Sequence, residues 1–277
     1  MSRNSDRLGL SNKPESAEAP PQMFNPLSFT APTEFVDLPS KGLGYHKDHP
    51  LYGKDSIEIK FMTAKDEDIL SNQSLIKKGV AIERVLQNII CEANIDPLTL
   101  LIADRNAILI QARGTAYGYD YEATVKCPNC STTNIMMFDL RSPKVEGGFS
   151  QEQQIVKMGD DGLFETQLPF SKFNIKFRLA NGIEESKIAH YIINEEKGFS
   201  ISDQYKEMIL SIEGHEEQEI INRFVDNMPM ADSTHLKICL KYCTPTITIT
   251  EKLVCKNCSH EKEVGVPFGT DFFWPNL

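Results

Sequence analysis

Cys127-Pro128-Asn129-Cys130 and Cys255-Lys256-Asn257-Cys258 are two matched Cys-x-x-Cys turns, and reading them as one object decides how the rest of the chain is arranged. Strand-like sequence leads into each, Val125-Lys126 into the first and Leu253-Val254 into the second. A two-residue gap lets both thiolates of a turn point at the same ion, and two such turns supply the four tetrahedral sulfur ligands of a structural zinc site. The spacing therefore predicts Zn2+ held by Cys127, Cys130, Cys255 and Cys258. Pro128 suits such a turn, because its fixed φ fits and its missing N–H is no loss there. The residue after the second Cys is often Gly, to supply a positive φ. Here it is Ser131 and Ser259, at a cost on the order of 1 kcal/mol each if φ is positive. Between Cys130 and Cys255 lie 124 residues, so the metal would tie the C-terminal end of the chain back to its middle. The competing readings of these cysteines are reduced core thiols and disulfides, the latter disfavoured in an intracellular chain.

At 277 residues the chain can bury a sizeable core, as two domains or as one domain with a large insertion. Lys plus Arg number 29 against 39 Asp plus Glu, a net charge of −10. A protein that neutralises phosphates shows the opposite balance, and no basic run exceeds Lys77-Lys78. No run of 18 apolar residues exists and the N-terminus lacks a signal-peptide core. The expectation is a chain made and used in a reducing cytoplasm, with no membrane and no nucleic-acid partner.

Residues 1–33 are rich in Ser, Asn, Pro and Glu, and read as a disordered or extended arm. Met23, Phe24 and Phe29, followed by Phe35, can anchor it on a partner subunit; a tail that binds nothing is the plain alternative. Residues 34–118 read as a mainly helical unit. Ile57, Ile59 and Phe61 alternate as a half-buried strand, and Thr63 can cap a helix with Asp66, Glu67 and Asp68 in its first turn. After Gly79, Ile82, Val85, Leu86, Ile89 and Ile90 form an apolar stripe at helical spacing. Asp96-Pro97 is expected to open a short helix through Leu101, and Asp104 to start another that ends at Gly114.

Tyr119 to Val125 alternates and Ile135 to Leu140 returns, a hairpin with the first Cys turn at its tip. Thr246 to Val254 is predicted as one strand into the second turn, with Glu261 to Val266 leaving it. Residues 119–140 and 244–277 thus read as a discontinuous zinc-ribbon-like unit. Residues 141–243 are then an inserted module. It contains a hairpin (Leu163–Leu168 with Phe173–Leu179), a helical face at Ile188, Tyr191 and Ile192, a stripe at Ile220, Ile221, Phe224, Val225 and Met228, and a helix capped by Asp232 or Ser233. The fold class expected is α+β.

Other candidates are weaker. His235, Cys239 and Cys243 share one helix face and could present ligands, but Leu236 and Leu240 beside them point to a buried apolar face. His260 could replace a thiolate, although four cysteines already complete the sphere. Glu184-Glu185 and Glu216-Glu217 open helices, where the dipole accounts for them. No Gly-rich phosphate loop and no hydrolase or metalloprotease signature appears, and a four-thiolate zinc has no open position for substrate. No enzyme activity is expected. The C-terminal Val266 to Pro275 carries four aromatic residues, which must bury themselves against their own domain or a neighbour.

Phe35-Val36-Asp37-Leu38-Pro39-Ser40-Lys41-Gly42, Met62-Thr63-Ala64-Lys65-Asp66-Glu67-Asp68-Ile69-Leu70, Lys78-Gly79-Val80 and Phe272-Phe273-Trp274-Pro275 resemble the baseplate hub protein family of T-even-like contractile-tailed bacteriophages. The resemblance covers about residues 34–275, and the Ala64 to Leu70 string is its most specific part. It implies a structural or assembly subunit of the virion tail baseplate, assembled in the host cytoplasm into a hetero-oligomer with other phage tail and baseplate proteins. Two alternatives remain at this point: a zinc-ribbon nucleic-acid adaptor, and a metalloenzyme such as a tail-tip peptidoglycan hydrolase.

Overall fold

In the computed structural model of the chain, residues 30–150, 155–193, 200–266 and 270–273 are described. From Ala31 onward the chain forms one compact unit of mixed α+β architecture. The first strands, β1 (Thr33–Asp37) and β2 (Ser56–Lys60), pair antiparallel with Val36 opposite Ile57. Val36, Ile57 and Ile59 are buried while Phe35 faces outward, as period-2 alternation requires. The turn between the strands needs glycine at position 42. Its φ is +70°, and a Cβ there would lie 2.6 Å from the Gly53 amide and the Leu51 carbonyl.

Helix α1 (Ala64–Ser71) starts as expected with Thr63 and Asp66 in a reciprocal capping box, the Asp66 carboxylate accepting from the Thr63 amide and hydroxyl, both at 2.8 Å. The short α2 (Gln73–Lys77) ends before Gly79. The predicted apolar stripe then forms α3 (Ala81–Ile89), burying Val85, Leu86 and Ile89. The helix expected from Asp96 to Leu101 is only one 3-10 turn, Pro97–Thr99. Leu100 and Leu101 leave it in extended conformation, because Leu101 bridges Asn181 and the Leu100 carbonyl takes the Gly182 amide at 3.1 Å.

Helix α4 (Ile102–Tyr117) is the axis of the core, buried on nearly every side. Asp104 does not cap it. Two residues inside the helix, the Asp104 carboxylate accepts from the Ser40 amide (2.9 Å), the Ser40 hydroxyl (2.6 Å) and the Tyr45 hydroxyl (2.8 Å). Burial holds this carboxyl above its ordinary value, and the Ser40 and Tyr45 bonds offset only part of that. The Pro39 to Gly42 turn is thereby fastened to the positive end of α4. The expected C-terminal burial also occurs on this helix: Phe272 and Phe273 are buried, and the Arg113 guanidinium donates to the Phe272 carbonyl at 2.9 Å.

Strands β3 (Asp120–Lys126) and β4 (Thr133–Asp139) make the first hairpin. Strand β5 (Lys144–Gly147) follows it. The next element is a four-stranded antiparallel sheet of β6 (Lys157–Met158), β7 (Phe164–Gln167), β8 (Asn174–Phe177) and a later strand, in that order. Its central pair is the predicted Leu163–Leu179 hairpin. Helices α5 (Gly182–Ile193) and α6 (Ile201–Met208) lead to that later strand, β9 (Ile209–Ile212). Helix α7 (Gln218–Asp226) buries Ile221 and Val225, while Ile220 of the same predicted stripe is exposed.

Helix α8 (Met230–Cys243) begins two residues before the predicted cap. Asp232 lies within its first turn, fully buried, and accepts from the Phe170 and Ser171 amides at 2.7 and 3.0 Å. The single strand expected over Thr246–Val254 is two. Strand β10 (Pro245–Thr248) pairs with β5, and β11 (Thr250–Val254) pairs with β12 (Glu261–Gly265). Ile247, Ile249 and Leu253 share one parity and are buried, while Glu251 between them is exposed, so the inward face lapses for one position where the hydrogen-bonding partner changes.

Candidate metal centre

The β3–β4 hairpin turns Tyr121, Ala123 and Val125 inward opposite Phe138, Met136 and Asn134, so its tip is built on a packed stem. At that tip the Ser131 amide donates to the Cys127 carbonyl at 2.8 Å and the Cys127 amide to the Thr132 carbonyl at 2.9 Å. The β11–β12 tip repeats the frame, Ser259 to Cys255 at 2.9 Å and Cys255 to His260 at 3.0 Å. Ser131 and Ser259 have φ of 57° and 51°. The left-handed step that glycine often supplies after the second cysteine is therefore taken by a serine in both turns.

The two tips meet. Cys127 Sγ lies 3.7 Å from Cys258 Sγ, Cys130 Sγ lies 3.6 Å from Cys255 Sγ, and all four sulfurs are within 4.8 Å of one another. A tetrahedral ion with metal–sulfur bonds of about 2.3 Å has sulfur–sulfur edges of about 3.8 Å. The close pairs are near that edge and far from a disulfide bond of about 2.05 Å; all four cysteines are free thiols. Four soft donors at this spacing fit one thiophilic ion held tetrahedrally.

The groups around two of the sulfurs, Cys130 and Cys255, favour thiolate. Cys130 is held down at about 5, chiefly by the Thr132 hydroxyl 3.2 Å from its sulfur and by the Thr132 amide. Cys255 is lowered by the amides of Cys258 and Asn257. Burial holds Cys127 up, at about 11, against the amides of Cys130 and Asn129. Metal binding here means displacing protons, the Cys127 proton most of all.

Asn134, a residue the motif does not single out, joins the two turns. Buried beneath them, its Oδ1 accepts the Lys256 amide at 3.0 Å. Its Nδ2 donates to the Thr132 carbonyl at 2.9 Å and lies 3.8 Å from Cys255 Sγ. Asn129 Nδ2 approaches Cys258 Sγ at 3.6 Å from the opposite turn. The only sequence signal for Asn134 is a polar residue at an inward position of an alternating strand.

The other candidates do not converge. His235 Nε2 donates to the Thr166 hydroxyl at 3.0 Å, and that hydroxyl donates to the Ile155 carbonyl at 2.7 Å. Cys239 points its thiol at the same oxygen, and Cys243 is buried with its thiol pushed up to about 12. Glu184 forms a two-point pair with Arg178, at 2.6 and 3.0 Å, and Glu185 pairs with Arg105. Beside Glu216, Glu217 lies 3.6 Å from His215. Among the described residues, no other group of three or more His, Cys, Asp or Glu comes close enough to share an ion. An open cleft of about 670 Å³ runs along β7 and β8 past His235, but its Lys176 is engaged by Asp161 (2.7 Å) and Glu165 (3.3 Å). No described helix is long and apolar enough to cross a membrane.

The sequence model of the T4 bacteriophage base plate protein matches residues 33–274. No curated protein and no solved structure matches the chain. A match across nearly the whole folded unit identifies the chain as a member of the T4 bacteriophage base plate protein family.

Proposed function

We propose that the chain is a structural or assembly subunit of the contractile tail baseplate hub, acting by contact with other tail and baseplate proteins and stabilised by zinc on Cys127, Cys130, Cys255 and Cys258. The family match over residues 33–274 carries the baseplate reading. The closed four-sulfur set adds to it, because such a site stabilises a fold and leaves no position for a substrate. Zinc, when bound, supplies folding free energy at this point; the two hairpins, latched by Asn134, supply the frame. In this reading residues 119–140 and 244–277 work as one zinc-ribbon-like unit. Residues 34–118 and the insertion at 141–243 are the bodies it ties together, and the residues before Ala31 are an arm for a neighbouring subunit. The chain acts in the virion tail baseplate after assembly in the host cytoplasm.

A mass-spectrometric census of purified tails and of tail-assembly intermediates tests this. The chain is expected in fixed stoichiometry with other baseplate proteins. Intact tails formed by phage lacking it would refute the reading.

A further inference from the structure

Helix α8 has two apolar faces. Leu236, Cys239 and Cys243 point into the core. Around the opposite side, at 100° per residue, Met230, Thr234, Ile238 and Tyr242 are exposed, with Met230 at 80% and Ile238 and Tyr242 each at 44%. A single helix that needs only one apolar stripe to fold has here a second one facing solvent. Lys237 and Lys241 run along its flank, also exposed, and neither is ion-paired among the described residues. The sole carboxylate of the helix, Asp232, is turned inward to hold the Phe170 and Ser171 amides. This hold fixes the loop that carries Phe170, 70% exposed, at the N-terminal end of the same helix. Met, Tyr and Phe are the side chains that interface cores favour.

On a chain of net charge −10 this face is locally cationic, which decides between occupants. A second copy laid helix against helix would bring lysines onto lysines, and like charges across an interface are costly. We infer that the outer face of α8 docks an acidic amphipathic segment of another baseplate protein, its apolar side chains on Ile238, Tyr242 and Met230 and its carboxylates on Lys237 and Lys241. The inference rests on the baseplate reading proposed above.

The test places a benzophenone amino acid at position 238 of the full chain and irradiates purified tails and assembly intermediates. A Lys237→Glu/Lys241→Glu variant is compared in parallel. The expected result is a cross-link to a different tail protein, mapped by mass spectrometry to a segment with Asp or Glu beside apolar residues. The charge-reversed chain, melting like wild type because both lysines are exposed, is expected to enter tails about tenfold less or worse, as reversal of paired interfacial charges implies. Cross-links to a second copy of the chain or to a lysine-rich segment, or no cross-link from position 238, overturn the inference, as does undiminished entry of the charge-reversed chain. Absence of the wild-type chain from tails and intermediates defeats the baseplate reading and this surface with it. That failure is distinguishable because it appears before any variant is compared.

Discussion

Replacing Cys258 with serine removes one corner of the sulfur tetrahedron at little other cost. Cys258 is only partly buried, so the change opens no core cavity, and its neighbouring turn keeps the Ser259 to Cys255 bond. What is lost is a cross-link closing the 124 residues between Cys130 and Cys255. In the chain-entropy treatment of cross-links, a loop of this length contributes about 5 kcal/mol. The β5–β10 ladder already closes much of the same loop, pairing Gly147 with Pro245, so this figure is a ceiling. At about 2–4 °C per kcal/mol for a domain of this size, full loss lowers Tm by about 10–20 °C. Scanning calorimetry of wild type and Cys258→Ser, each with and without a strong chelator, separates the contributions. Chelator is expected to lower the wild-type Tm to near that of the variant and to leave the variant unmoved. Four equal melting temperatures would refute the reasoning, and a variant that chelator still destabilises would place the metal elsewhere.

Asn134→Ala, which unlatches Lys256 and Thr132 from each other, is expected to weaken zinc affinity about 10–100-fold, the usual effect of losing an outer-shell partner; competition with a chromogenic chelator measures it. Burial pushes the Glu184 carboxyl up, but Arg178 and the Asn181 amide more than reverse this and hold it below the ordinary carboxylate range. Its stabilisation is therefore complete above the unfolded pKa of about 4.3 and is lost as pH falls through the lower folded value. Glu184→Gln should cost about 3 kcal/mol at neutral pH and less as the pH falls, read from denaturant unfolding between pH 2 and 7; a pH-independent difference contradicts the pairing. Asp232→Ala strips the acceptor from two backbone amides and should destabilise by about 1–3 kcal/mol per orphaned group, with faster hydrogen exchange at Phe170 and Ser171.

Much of this architecture was legible because its signals are local. The Thr63 cap, the α3 stripe and the β3–β4 alternation follow from residue type and spacing. What stayed hidden depends on partners distant in sequence. Thr246 to Val254 alternates on both sides of Glu251, and alternation reports which face is buried but not which strand is bonded. The switch from β5 to β12 near Ile249 leaves only one mark in the pattern, a charged, exposed Glu251 at what would be an inward position. Asp104 and Asp232 carry the same cap-like signature as Thr63. Ser40 and the Phe170 loop, both far away in the chain, turn them into buried acceptors inside their helices instead. Proline at 97 marked a helical start correctly, but the pairing of Leu101 with Asn181 drew the backbone out after one turn. Zinc-ligand spacing located the four sulfurs and could not locate Asn134, whose role exists only once the two turns are side by side. Met23, Phe24, Phe29 and Trp274 lie outside the described residues.

In the proposed centre, four sulfurs from two distant turns hold one zinc ion. Zinc K-edge X-ray absorption on the purified full chain, with metal content measured on the same sample, tests it most directly. The expected result is one zinc per chain with four sulfur neighbours at about 2.3 Å and no oxygen or nitrogen bound to the metal. A chain purified without stoichiometric zinc, or a zinc with a light-atom ligand, would contradict it.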